Sequence, residues 1–245
     1  MLLTVSAASS ESFPTPTDLG FVLHKHPDRV QHFPLPVGQA TVLYPDATAE
    51  RCTAALILDI DPIELARSRV RRGRDAFALG QYVNDRPYAG SSLLAVALNA
   101  VFGTAMAGTC AARPDLVDAA VDLVVGLPTL PARSSGSESG TDLTQRLFGP
   151  LGWTVDAVPI PLDSTIPDWG DSDYVDVTLS GTHTVRDTLR HLYVLLPVLD
   201  DVKHYWVGQD EADKLLRLAG DWLSGHPESA EITSRYLANR RELVA

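Results

Sequence analysis

An α+β fold in two lobes is what this sequence predicts, and three observations carry the prediction. Short apolar or β-branched runs bounded by Pro, Gly or Asp fill the first half, one long stretch from Leu93 to Phe102 is apolar on nearly every face, and segments of helical spacing close the chain. The expected organisation is a sheet-rich lobe around a buried helix over residues 1–132, a surface linker over 133–140, and an α+β lobe ending in three helices over 141–245.

Element by element, Leu2 to Val5, Gln39 to Tyr44 and Ala54 to Leu58 read as strands. Asp18 reads as the cap of a short helix over Leu19 to Leu23. Asp61, Pro62 and Glu64 fit a helix start: a carboxylate at the cap, proline at the first helical position and a glutamate reaching back. Ser91 or Ser92 caps the buried helix at Leu93. The run ARSSGSESG from Ala132 to Gly140 is too small and polar to order itself and reads as the linker. Beyond it, Leu143 to Phe148 is a helix and Trp153 to Val158 a strand. Val175, Val177 and Leu179 alternate with Asp176, Thr178 and Ser180 as a half-buried strand should. Val185, Leu189, Leu192 and Leu196 mark the first closing helix. Ala212, Leu215, Leu216, Ala219, Trp222 and Leu223 mark the second, and Ile232, Tyr236 and Leu243 the inward side of the third. Pro197 removes an amide donor and crowds the preceding turn, so the first of these helices should stop or kink there and hand over to an exposed loop from Asp200.

With 245 residues and 45% apolar content the chain can bury a substantial core. Its net charge of −11 argues against a general electrostatic grip on nucleic acid. Three lysines stand against seventeen arginines, and Arg67, Arg69, Arg71, Arg72 and Arg74 fall within one short segment that offers a local site for RNA phosphate or is simply a solvated loop. Cys52 and Cys110 lie far apart without metal-ligand spacing, which suits a reducing compartment. The start lacks the basic residues and apolar length of a signal peptide, and the stretch Leu93 to Ala107 is too short and too interrupted to cross a membrane. A cytoplasmic protein is expected.

Catalytic signatures are scarce. No two glycines lie two positions apart, so the G-x-G turn of dinucleotide and adenosyl cofactor sites cannot be drawn, and no P-loop, G-x-S-x-G or HExxH pattern occurs. Asp59 and Asp61 share a side of an extended segment, which permits a divalent ion, but the capping role already accounts for Asp61. His24 and His26 converge only on an extended backbone. His183 and His191, too far apart in sequence for a helical ligand pair, with nearby carboxylates leave a phosphoesterase as a third reading. No catalytic or metal-ligating residue is assigned.

Two segments instead have the composition of contact surfaces. QYVNDRPY places Tyr82, Asn84, Asp85, Arg86 and Tyr88 on a proline-braced turn. The run after Pro197 brings Lys203, His204, Tyr205 and Trp206 together, although Trp206 equally suits a core.

The segments DLGFVLHKHPDRVQ, ERCTAALILDIDP, LGQYVNDRPYAGSSLLAVALNAVFGTAMAG and HLYVLLPVLDDVKHYW resemble the amino-terminal half of the bacterial HEN-family 3'-terminal RNA ribose 2'-O-methyltransferases, over essentially the whole chain. The resemblance implies a non-catalytic module that associates with a polynucleotide kinase-phosphatase-ligase and switches on its RNA ligase activity. In the complete family a second half transfers methyl groups, using S-adenosylmethionine and Mn or Mg. This chain departs from that pattern: Glu228 and Glu231 lack a following histidine and no glycine-rich loop is present. It is therefore expected to be part of a longer protein and to need no cofactor itself. The alternative is a module that binds RNA ends through Arg67 to Arg74.

Overall fold

A computed structural model describes residues 1–36, 38–61, 63, 90–134, 138–200 and 209–237. Its strands are β1 (Leu2–Ala8), β2 (Gln31–Leu35), β3 (Gly38–Ala47), β4 (Arg51–Ile60), β5 (Val121–Pro131), β6 (Thr154–Pro161) and β7 (Asp171–His183). The helices are α1 (Leu19–Leu23), α2 (Gly90–Met106), α3 (Gly140–Phe148), α4 (Val185–Asp200), α5 (Gln209–Gly225) and α6 (Ser229–Leu237). The architecture is α+β, as expected.

All seven strands join one antiparallel sheet in the order β2-β3-β4-β1-β5-β7-β6. Its register explains its core. Leu3 lies opposite Leu56, Val5 opposite both Ala54 and Val125, and Val125 opposite Leu179. Because side chains alternate along each strand, these residues line a single face with Val42, Leu127 and Val177. Helices α2 and α4 pack along each other on that side. Full burial of each Leu or Val contributes about 1.5–3 kcal/mol, and Leu3, Leu56, Leu94, Leu98, Leu123, Leu192 and Leu196 are buried. The opposite face carries Thr4, Val124, Gly126, Thr178 and Ser180, all half-buried. A Cβ on Gly126 would meet the Thr4 hydroxyl oxygen at 2.6 Å, so only glycine fits beside that threonine without a shift.

Strand β5 is not among the elements read from the sequence, because Gly126 and Pro128 break its β-branched run. It pairs with β1 on one side and β7 on the other, so the sheet continues across the expected lobe boundary. The segment expected as linker also makes specific bonds. The Arg133 amide donates to Leu199 O at 2.8 Å, and Ser139 caps α3 by accepting the Asp142 amide.

Two expectations need correction near Pro197. Helix α4 passes through it to Asp200 with no break, and Asp200 is fully buried rather than part of an exposed loop. Buried carbonyls of the last turn find donors outside the helix: the Arg235 guanidinium donates to Val198 O (3.2 Å), and the Arg133 amide takes Leu199 O. Asp18 precedes α1 but its side chain caps nothing; it pairs with Arg113 at 2.8 Å instead. Leu216, expected inward, faces solvent, and Gly220 at φ 54 interrupts α5.

Candidate functional site

Both contact segments singled out in the sequence lie outside the described residues: Tyr82, Asn84, Asp85, Arg86 and Tyr88, and Lys203, His204, Tyr205 and Trp206. So do Arg67, Arg69, Arg71, Arg72 and Arg74. Asp61 accepts the Ile63 amide at 2.8 Å, as a capping residue would. Among the described residues no three His, Cys, Asp or Glu side chains are grouped to hold a metal ion. Glu228 and Glu231 do not suit one either, because the Arg146 guanidinium holds them at 2.7 and 2.6 Å.

Four of the described histidines, His24, His26, His191 and His226, make specific contacts. His24 sits in the left-handed position that ends α1 and bonds Thr109 O at 2.6 Å, while His26 accepts the Asp28 amide, so the two do not converge. His183 and His191, far apart in sequence, meet in space with ring centroids 5.9 Å apart. They belong to a chain of rings. Trp153 lies 4.1 Å from His183, His191 lies 5.4 Å from Trp222, and Trp222 lies 6.0 Å from His226. The Trp153 indole donates to His191 Nδ1 at 3.2 Å, and His226 accepts the Glu228 amide at Nδ1 and bonds Leu147 O at Nε2. Desolvation pushes His191 down to about 4, assisted by neighbouring His183, and also lowers His183. A neutral imidazole already accepting an indole proton is a brace between α4, α5 and the end of β7. Sequence spacing has no means of finding this cluster, since its rings come from the start of β6, the end of β7, α4, α5 and the turn after α5.

One described surface has the composition that recognition requires. Edge strand β6 and its turn into β7 expose Val158 (55%), Leu162 (61%), Ile166 (37%) and Trp169 (61%). The turn is internally fastened. Leu162 donates its amide to Gly170 O (3.0 Å), Trp169 to Ile166 O (3.1 Å) and Gly170 to Pro167 O (3.0 Å), while the Asp163 carboxylate accepts both the amide and the hydroxyl of Thr165. Gly170 takes φ 73, ψ −158, a conformation costly for any other residue. The Thr165 hydrogen bonds hold the Asp163 carboxyl below the usual carboxylate range. No lysine or arginine occurs from 147 to 185, and Asp156, Asp163, Asp168, Asp171, Asp173 and Asp176 all fall in that stretch. A clue was legible: PIPLDSTIPDWGDSD is a turn-rich segment with an unexplained tryptophan.

Residues 1–245 match the family described as the RNA repair, ligase-Pnkp-associating region of Hen1. The chain belongs to this family. The resemblance drawn from its sequence segments and the family match agree, and both span the chain. No curated protein matches it. Among solved structures, a chain of the Pnkp1/Rnl/Hen1 RNA repair complex is similar to this chain with a TM-score of 0.53 at 14% identity. The likeness covers 98% of this chain and 48% of that one. At that identity the likeness shows the fold, and the chain spans about half the length of that relative.

Proposed function

We propose that this chain is a non-catalytic docking module that binds the ligase part of a polynucleotide kinase-phosphatase-ligase and switches on its sealing of broken RNA in the cytoplasm. The observation that carries this reading is the whole-chain match to a ligase-associating family, on a fold whose fastened β6–β7 turn presents an aromatic and aliphatic patch. Activation by docking needs only differential affinity: about 2–3 kcal/mol of preference for the competent ligase changes the active-to-inactive ratio by roughly 30 to 150-fold. A few buried aromatic contacts supply that much.

The module works without S-adenosylmethionine or metal of its own, and methyl transfer belongs to another part of the parent protein. His191 and His226 are held in a buried ring cluster, and Glu228 and Glu231 are paired with Arg146. The acidic turn disfavours RNA as its direct ligand, since phosphate would meet like charge. Adding this chain to the cognate ligase should raise both adenylate transfer and sealing of nicked RNA. A ligase indifferent to saturating amounts overturns the proposal.

A further inference from the structure

Building on that docking role, we propose that the β6–β7 hairpin is the arm that seats on the partner. Trp169 enters an apolar notch, flanked by Leu162 and Ile166, on a protein surface rimmed by lysine and arginine. Three observations lead there.

First, the patch is presented on a fixed frame. Successive backbone hydrogen bonds at 162–170, and the Ser172 hydroxyl on Ile160 O at 2.7 Å, leave little to order on binding. A tryptophan held 61% exposed beside two exposed aliphatic residues is the arrangement found at the centre of contact patches.

Second, the mode of contact is restricted. Leu162 donates its amide to Gly170 O and Ile160 O accepts the Ser172 hydroxyl, so the end of β6 turns these backbone groups toward the start of β7. Pro159 and Pro161, at this same end of the strand, have no N–H to give an added strand. Recognition falls to side chains.

Third, charge selects the partner. Of the six aspartates between 156 and 176, Asp173 meets Arg133 at 3.2 Å, whereas Asp156, Asp168, Asp171 and Asp176 make no ion pair among the described residues. On a chain of net charge −11, such an arm is repelled by RNA and attracted to the cationic surface of an enzyme that handles RNA.

The test titrates the cognate ligase into this chain and its variants at two salt concentrations, following tryptophan fluorescence and, independently, calorimetric heat. Trp169→Ala should weaken binding roughly 10-fold or more. Asp168→Asn with Asp171→Asn should weaken it at low salt and flatten its salt dependence, while Val30→Ser, an exposed site elsewhere, should change nothing. All these positions are exposed, and unchanged circular dichroism and melting confirm that each variant folds. If the wild type binds and both arm variants bind equally well, the arm is wrong and the docking role stands. If the wild type does not bind, both fall. Arm-dependent binding of single-stranded RNA also overturns the protein partner proposed here.

Discussion

At the scale of single residues, His191 ties stability to pH. Its folded pKa, about 4, lies below the ordinary 6.5 because the ring is buried beside Trp153, Trp222 and His183, with Asp187 and His226 as the other charged or titratable neighbours. Above 6.5 the ring is neutral in both folded and unfolded chains and contributes no slope. As pH falls from 6.5 toward 4 the unfolded chain takes up a proton that the folded one refuses, and stability drops by about 3 kcal/mol across that window. Urea midpoints should be level from pH 8 to 7 and decline from 6.5 to 4.5. His191→Leu should flatten that decline; an unchanged slope in the variant would remove His191 as its source. Carboxylates held low by hydrogen bonds, such as Asp163 and Asp115, act mainly at lower pH, while His183, also lowered by burial, adds a slope of the same sign that His191→Leu leaves in place.

Elements are tied together by side chains whose roles cannot be read from their neighbours in sequence. Arg146 on α3 bonds Glu138 at 2.9 Å as well as Glu228 and Glu231 on the α6 side, fastening the segment before α3 to the last described helix. The group is about a third exposed, so solvent screens part of its worth. Arg146→Ala should cost about 1–2 kcal/mol in urea unfolding, and the loss should shrink in high salt. Pro197 is a second case: it sits within a continuous α4, where its ring supplies no N–H to the helical ladder and crowds the preceding turn. Pro197→Ala should raise stability by about 1 kcal/mol, the helical gain being offset in part by a freer unfolded chain. A fall in the urea midpoint would mean that the ring packs better than the restored bond. Periodicity made β1, β3, β4, β7, α2 and α4 legible, because each buries one face or all faces. It failed for β5, where Gly126 and Pro128 break the pattern and pairing on both sides restores it. It also failed at Asp200, which is buried 3.8 Å from the guanidinium of Arg133, a residue of a distant segment. The exposed Trp169 was overlooked for a related reason: composition marks a turn, but only the sheet order puts that turn on an outer edge.

For the whole molecule, one antiparallel sheet packed by helices on its core face places β6 at an edge, and the arm follows from that position. Net charge of −11 then gives association a long-range component, so ligase binding should be faster and tighter at low salt. The central claim is that occupancy of the ligase by this chain raises ligase activity. The most direct measurement titrates the chain into cognate ligase and reads binding and sealing of nicked RNA on the same mixtures. Sealing should rise and level off at the concentration where binding saturates. Saturated binding with sealing unchanged would contradict the account.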